Sequence, residues 1–126
     1  MFFSGKRPAH LGAKQGKLAP PSKKPNSVSS QAEANHPAYI APLQLKNVAD
    51  WQALADKIAK LSGARIITRQ PDYLHVEFKS ALLGFVDDVE LLLDGKQVHV
   101  RSASRLGYSD LGVNRKRVEQ LRQLVA

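Results

Sequence analysis

The apolar positions of this chain fall into two rhythms. From Val48 to Leu61 they recur at three- and four-residue steps, as Val48, Trp51, Leu54, Ala55, Ile58 and Leu61. That spacing lays one apolar stripe along a helix. Asn47 offers an N-cap, Asp50 three residues on gives a shortened capping box, and Gly63 is a natural stop. Beyond Gly63 the period drops to two. Arg65 to Arg69 holds the strand formers Ile66, Ile67 and Thr68, and Pro71-Asp72 ends it with a turn. Tyr73 to Ser80 alternates, with Leu74, Val76 and Phe78 on one face and Tyr73, His75, Glu77 and Lys79 on the other. After a short link from Ala81 to Gly84 come two more strands, then a helix from a cap at Asn114 to Val125 with Val118, Leu121, Leu124 and Val125 on its apolar side. The predicted order is α-β-β-β-β-α. The fold class is α+β: a four-stranded antiparallel meander with two helices packed on one face and the other face open.

The last two strands form a hairpin whose turn signal is Asp94-Gly95, because Gly supplies the positive φ of a tight turn. With those two residues as the loop, Leu91 faces Val98, Val89 faces Val100 and Asp87 faces Ser102. On the opposite face Glu90 meets His99 and Asp88 meets Arg101. Asp87 is the exception to the apolar side. A carboxylate drawn inside needs a partner, and Ser102, Arg105 and Asn114 are the candidates. The following loop, Ser104 to Gly112, carries two glycines among Arg105, Tyr108, Ser109 and Asp110, and leads into Asn114, Arg115 and Arg117 at a helix start.

Two chemistries fit these residues. A helix start flanked by arginines suits an anion. The expected ligand-binding set is Asp87, Ser102, Ser104, Arg105, Tyr108, Asp110, Asn114, Arg115 and Arg117, although capping and loop pinning explain the same residues with no ligand. On the open face, His75, Glu90 and His99 would share a row across three strands, a donor set that suits zinc or iron. Cross-strand pairing on a solvated sheet is the plainer reading of that row, so no metal or other cofactor is expected. No Walker loop, nucleophile elbow or HExxH motif occurs.

Charge sharpens the picture of the N-terminal region. The net charge is +8, which favours anionic partners. Residues 1–40 hold six Lys/Arg against Glu33 alone, so most of the excess lies outside the strands and helices. Residues 1–24 read as a basic, Pro/Gly-rich flexible tail that could touch nucleic acid or a membrane surface, and 25–126 as a single α+β domain. Val28, Tyr39, Ile40 and Leu43 are enough to dock an extended segment on that domain. There is no cysteine, hence no disulfide, and no apolar run of membrane-spanning length or signal-peptide h-region. The expected location is cytoplasmic. The leading expectation is a non-enzymatic binding module for an anionic small ligand or an acidic protein. The rivals are a metal-dependent or hydrolytic enzyme using His75, Glu90 and His99, and tail-mediated binding.

FVDDVE at 85–90 and RSASRLGYSDLGVNRKR at 101–117 resemble the uncharacterised family known as domain of unknown function 1499, with PNSVSS at 25–30 and YLHVEF at 73–78 similar to its weaker motifs. The resemblance spans roughly residues 20–126. Its motif positions here are His75, Asp87, Asp88, Glu90, Arg101, Ser102, Ser104, Arg105, Tyr108, Asp110, Asn114 and Arg117. The family's usual cysteine in the first motif is Ser27 in this chain, so the resemblance carries no thiol chemistry over. It implies no particular activity.

Overall fold

A computed structural model describes residues 5–126 of the chain. The elements run β1 (Ser27–Ser29), β2 (Leu43–Gln44), α1 (Asp50–Ala59), β3 (Ala64–Arg69), β4 (Tyr73–Lys79), β5 (Val86–Asp94), β6 (Gln97–Ser104) and α2 (Val113–Gln123). The architecture is α+β with an antiparallel sheet and two helices. The sheet has six strands rather than the expected four, in the order β1-β6-β5-β4-β3, with β2 also paired to β6. The two additions are three and two residues long, too short to show a period of two. They share one edge of β6, β1 against Arg101–Ala103 and β2 against Gln97–Val98.

The helix-side core follows the predicted stripe. Trp51, Leu54 and Ile58 of α1 and Val118 and Leu121 of α2 pack with Leu74, Val76, Phe78, Val89, Leu91, Val98 and Val100. Val48 drops out: it precedes the first helical turn and is half exposed. The helix begins at Asp50, and Asn47 is not its side-chain cap. Asp50 reaches back instead, its Oδ2 accepting the Asn47 N–H at 3.1 Å. Gly63, at φ +78°, lies so close to β4 that a Cβ there would sit 2.5 Å from the Lys79 carbonyl oxygen. In β3, a bulge between Ile66 and Thr68 interrupts the pairing with β4.

The central hairpin turns one residue later than expected. Asp94 pairs with Gln97, so Gly95 and Lys96 form the loop, with Gly95 at φ +63°. Glycine thus takes the first loop position, and Asp94 ends the strand. Leu45 N–H donates to the Lys96 carbonyl and ties this turn to β2. The pairing slides by two residues, so every side chain keeps its face but changes its opposite number. Asp87 faces Ser104, Val89 faces Ser102, Glu90 faces Arg101, Asp88 faces Ala103 and Leu92 faces His99. The predicted pairing of β4 with β5 holds, with His75 against Glu90 and Val76 against Val89.

The sheet face expected to be open is covered. The chain between residues 5 and 24 crosses it. Leu18 packs against Tyr73 and Leu92, and the Gly12 N–H donates to Glu90 Oε2 at 2.7 Å. Arg7 Nε donates to Glu77 at 2.6 Å, and the Pro20 carbonyl accepts from Arg101 Nε at 3.1 Å. Tyr73, His75 and Glu90, placed on a solvated face by their alternation, are therefore buried.

Candidate functional site

The two faces of the sheet carry two polar centres, back to back, at the end formed by the start of β5 and the end of β6. On the helix side, Asp87 is buried and its Oδ2 accepts from Arg117 Nη2 at 3.2 Å. Its partner is thus an arginine one turn into α2 rather than Ser102, Arg105 or Asn114. The Arg117 guanidinium also lies over the Phe78 ring, 4.3 Å from the centroid, a favourable cation–π placement. Its Nε is buried without a hydrogen-bond partner.

Arg117 is aimed by the way α2 begins. Asp110, not Asn114, caps this helix. Its carboxylate accepts the N–H groups of Gly112 at 2.8 Å and Asn114 at 3.1 Å, while Gly112 adopts φ +84°. Burial works against the charge on Asp110, but the Asn114 side chain and these amides outweigh it and hold the carboxyl below its ordinary range. Asn114 is fully buried and serves as a hub. Ser102 Oγ donates to its Oδ1 at 2.6 Å, and its Nδ2 faces Asp110 Oδ2 at 2.7 Å, Ser104 Oγ at 2.8 Å and the Asn26 carbonyl at 3.1 Å. The hub joins β6, α2 and the segment before β1.

Asp87, Ser102, Ser104, Asp110, Asn114 and Arg117 of the expected set therefore converge. The other three go elsewhere. Arg115 donates to the Tyr39 and Pro37 carbonyls, Tyr108 is exposed, and Arg105 turns to the opposite face. The helix start needs no outside anion, because Asp110 occupies it. Beside the Asp87–Arg117 pair lies a groove of about 320 Å³, walled by Phe85, Leu106, Leu111 and Val113.

On the other face the centre is ionic. Arg105 Nε and Nη2 grip the two oxygens of Asp88 at 2.8 and 2.9 Å, and Nη2 also meets Glu77 at 2.5 Å. His75 Nε2 lies 2.8 Å from Asp88 Oδ1. Burial disfavours the charge of Asp88, but Arg105 and His75 overcome it and lower the pKa. Glu77 is lowered in the same way, with Arg7 and Arg105 outweighing burial. Glu90 is fully buried. Its Oε2 accepts from the Tyr73 hydroxyl at 2.5 Å and from Gly12, and its Oε1 has no partner. Burial first, then the Glu90 carboxylate, push the Tyr73 phenol well above its usual range.

The expected metal row does not form. Sliding the hairpin by two residues puts Arg101 where His99 was placed, and His99 Nδ1 instead meets Ser30 Oγ at 3.1 Å. A different trio, His75, Glu77 and Asp88, does bring its ligand atoms within 4.8 Å of one another. Arg105 already lies among those carboxylate oxygens as the local cation, and a dication would have to displace it. Arg7 and Gly12 complete this face, and nothing in their own stretch of sequence signals that role.

No helix among the described residues is long and apolar enough to cross a membrane. A family model described as "Protein of unknown function (DUF1499)" matches residues 17–125, and the chain belongs to that family. Neither a search of curated proteins nor one of solved structures finds a match.

Proposed function

We propose that this member of the DUF1499 family is a non-enzymatic binding module, and that its ligand is an amphipathic anion seated in the groove beside Asp87 and Arg117. One observation carries the reading. A groove with apolar walls and the polar groups of Asp87, Asp110 and three serines holds one cation, Arg117, whose Nε has no partner and whose contact with Asp87 is one hydrogen bond. An apolar pocket with a few convergent polar groups is the usual form of a small-ligand site. A ligand's apolar body would cover Leu106, Leu111 and Val113, all substantially exposed. Its acid group would pair with the Arg117 guanidinium in competition with Asp87. The hydroxyls nearby support binding over catalysis: those of Ser102 and Ser104 are engaged with the Asn114 amide rather than with a base.

Decanoate and decanol, followed by calorimetry and thermal shift, test this. Decanoate should bind more tightly than decanol. Arg117→Met should weaken decanoate about tenfold and decanol little, an effect on the scale of one charge-assisted hydrogen bond. Leu111→Asp, at an exposed position that the fold does not need, should weaken both. Decanoate binding that neither substitution alters would overturn the proposal, as would no binding at all.

A further inference from the structure

We propose a second, independent site: the cavity under the N-terminal segment at Arg101 binds a phosphate-class oxyanion. The motive is a buried guanidinium short of partners. Arg101 is only 4% exposed. Its Nε donates to the Pro20 carbonyl, and among the described residues it forms no ion pair and no further hydrogen bond. Glu90 faces it across the strands, yet spends one oxygen on Tyr73 and Gly12 and leaves the other unpaired. Glu90 and Asp88 stabilise the Arg101 charge only from a distance. A buried cation with no direct ion pair is costly, and a five-donor guanidinium is well shaped for an oxyanion.

The surroundings specify the anion. Arg101 lines a cavity of about 220 Å³ together with Arg105, Lys24, His10, Asp88 and Asn26. Three permanent cations thus face one carboxylate, and both oxygens of that carboxylate are held by Arg105. Asn26 adds the discriminating group. Its Nδ2 donates to the Gly107 carbonyl, which fixes the amide's orientation, and its Oδ1 is buried with no donor. The cavity therefore presents strong donors, and one unmet acceptor lies buried in its wall. Hydrogen phosphate satisfies both kinds, because it carries anionic oxygens and a hydroxyl. Sulfate satisfies only the donors, and chloride offers no geometry for the guanidinium. A phosphomonoester shares the anionic oxygens of inorganic phosphate, but its dianion has no hydroxyl for the unmet acceptor.

Calorimetric titration of the full chain with inorganic phosphate and with sulfate, at constant ionic strength, tests the site. One phosphate should bind per chain, roughly tenfold tighter than sulfate. Arg101→Gln should weaken phosphate by at least about tenfold. Lys24→Ala, at an exposed residue whose loss leaves the fold intact, should weaken it by about threefold. Arg117→Met, in the groove on the other face, should leave phosphate affinity unchanged, which separates this site from the one proposed above. Equal affinity for phosphate and sulfate would overturn the inference. So would phosphate binding that is indifferent to both Arg101→Gln and Lys24→Ala, or the absence of binding.

Discussion

The two faces of this sheet are built from the same strands, and both are buried, but by different means. The helix face is covered by two amphipathic helices and held by aliphatic packing, with one ion pair and one amide hub at its end. The opposite face is covered by a stretch without regular structure, and its strands offer tyrosine, histidine, carboxylates and arginines. Its cohesion comes from paired charge rather than apolar area. Each face keeps a cavity and an unpaired buried group, Arg117 Nε on the helix side and Glu90 Oε1 on the other. The segment-covered face also responds to pH and salt, to which aliphatic packing is nearly blind.

The contrast can be broken at its strongest point first. Arg105 grips both oxygens of Asp88 and shares Glu77 with Arg7, so Arg105→Gln leaves Asp88 to His75 and Glu77 to the half-exposed Arg7. A cost of about 3–5 kcal/mol is expected from urea unfolding. Retention of full stability would mean that the network contributes nothing. Asn114→Ala probes the helix face in the same units. It leaves the Ser102 hydroxyl, the Asn26 carbonyl and Asp110 without a common partner, for about 2–3 kcal/mol. The smallest effect at neutral pH is that of acid, which acts on both faces. Asp88, Glu77 and Asp110 all have folded pKa values below their unfolded ones. Their contribution is therefore fully present above the ordinary carboxylate range of about 4. It is lost as pH falls through the lowered folded values, because the unfolded chain then binds more protons. Stability should decline below about pH 4, and less steeply in Arg105→Gln, whose Asp88 and Glu77 have each already lost one partner.

The chain's legibility follows the same division. Helices and long strands were readable because their apolar periods are strong, and β4 against β5 was correct to the residue. The hairpin was misplaced because Asp94-Gly95 and Gly95-Lys96 are both workable turns. Parity alone cannot separate two registers that differ by two, and the metal row of His75, Glu90 and His99 was a casualty of that ambiguity. The burial of Asp87 and its link to the arginine-bearing region after β6 were foreseeable from one acid on an apolar face. Its particular partner was not: Ser102, Arg105 and Asn114 are the candidates the sequence offers, and Arg117 comes within reach only because α2 starts at Val113. The covering of the second face was the least visible feature. Residues 5–24 have no periodicity, and Leu18 is a single apolar anchor in a Lys- and Pro-rich run.

The placement of β1 and β2 has a consequence for how copies of this molecule meet in a crowded solution. By sharing β6, and with Ser29 bridged in turn to Tyr39, they leave little unpaired backbone on that side of the sheet. The opposite border is β3, whose bulge at Ile67 breaks the regular ladder and whose exposed Arg65 brings like charge to any strand laid alongside, while Arg69 is paired with Asp56. A β-rich chain with an unbroken, uncharged border would template its own fibres; here one border is filled and the other is kinked and cationic, so the sheet stops at six strands.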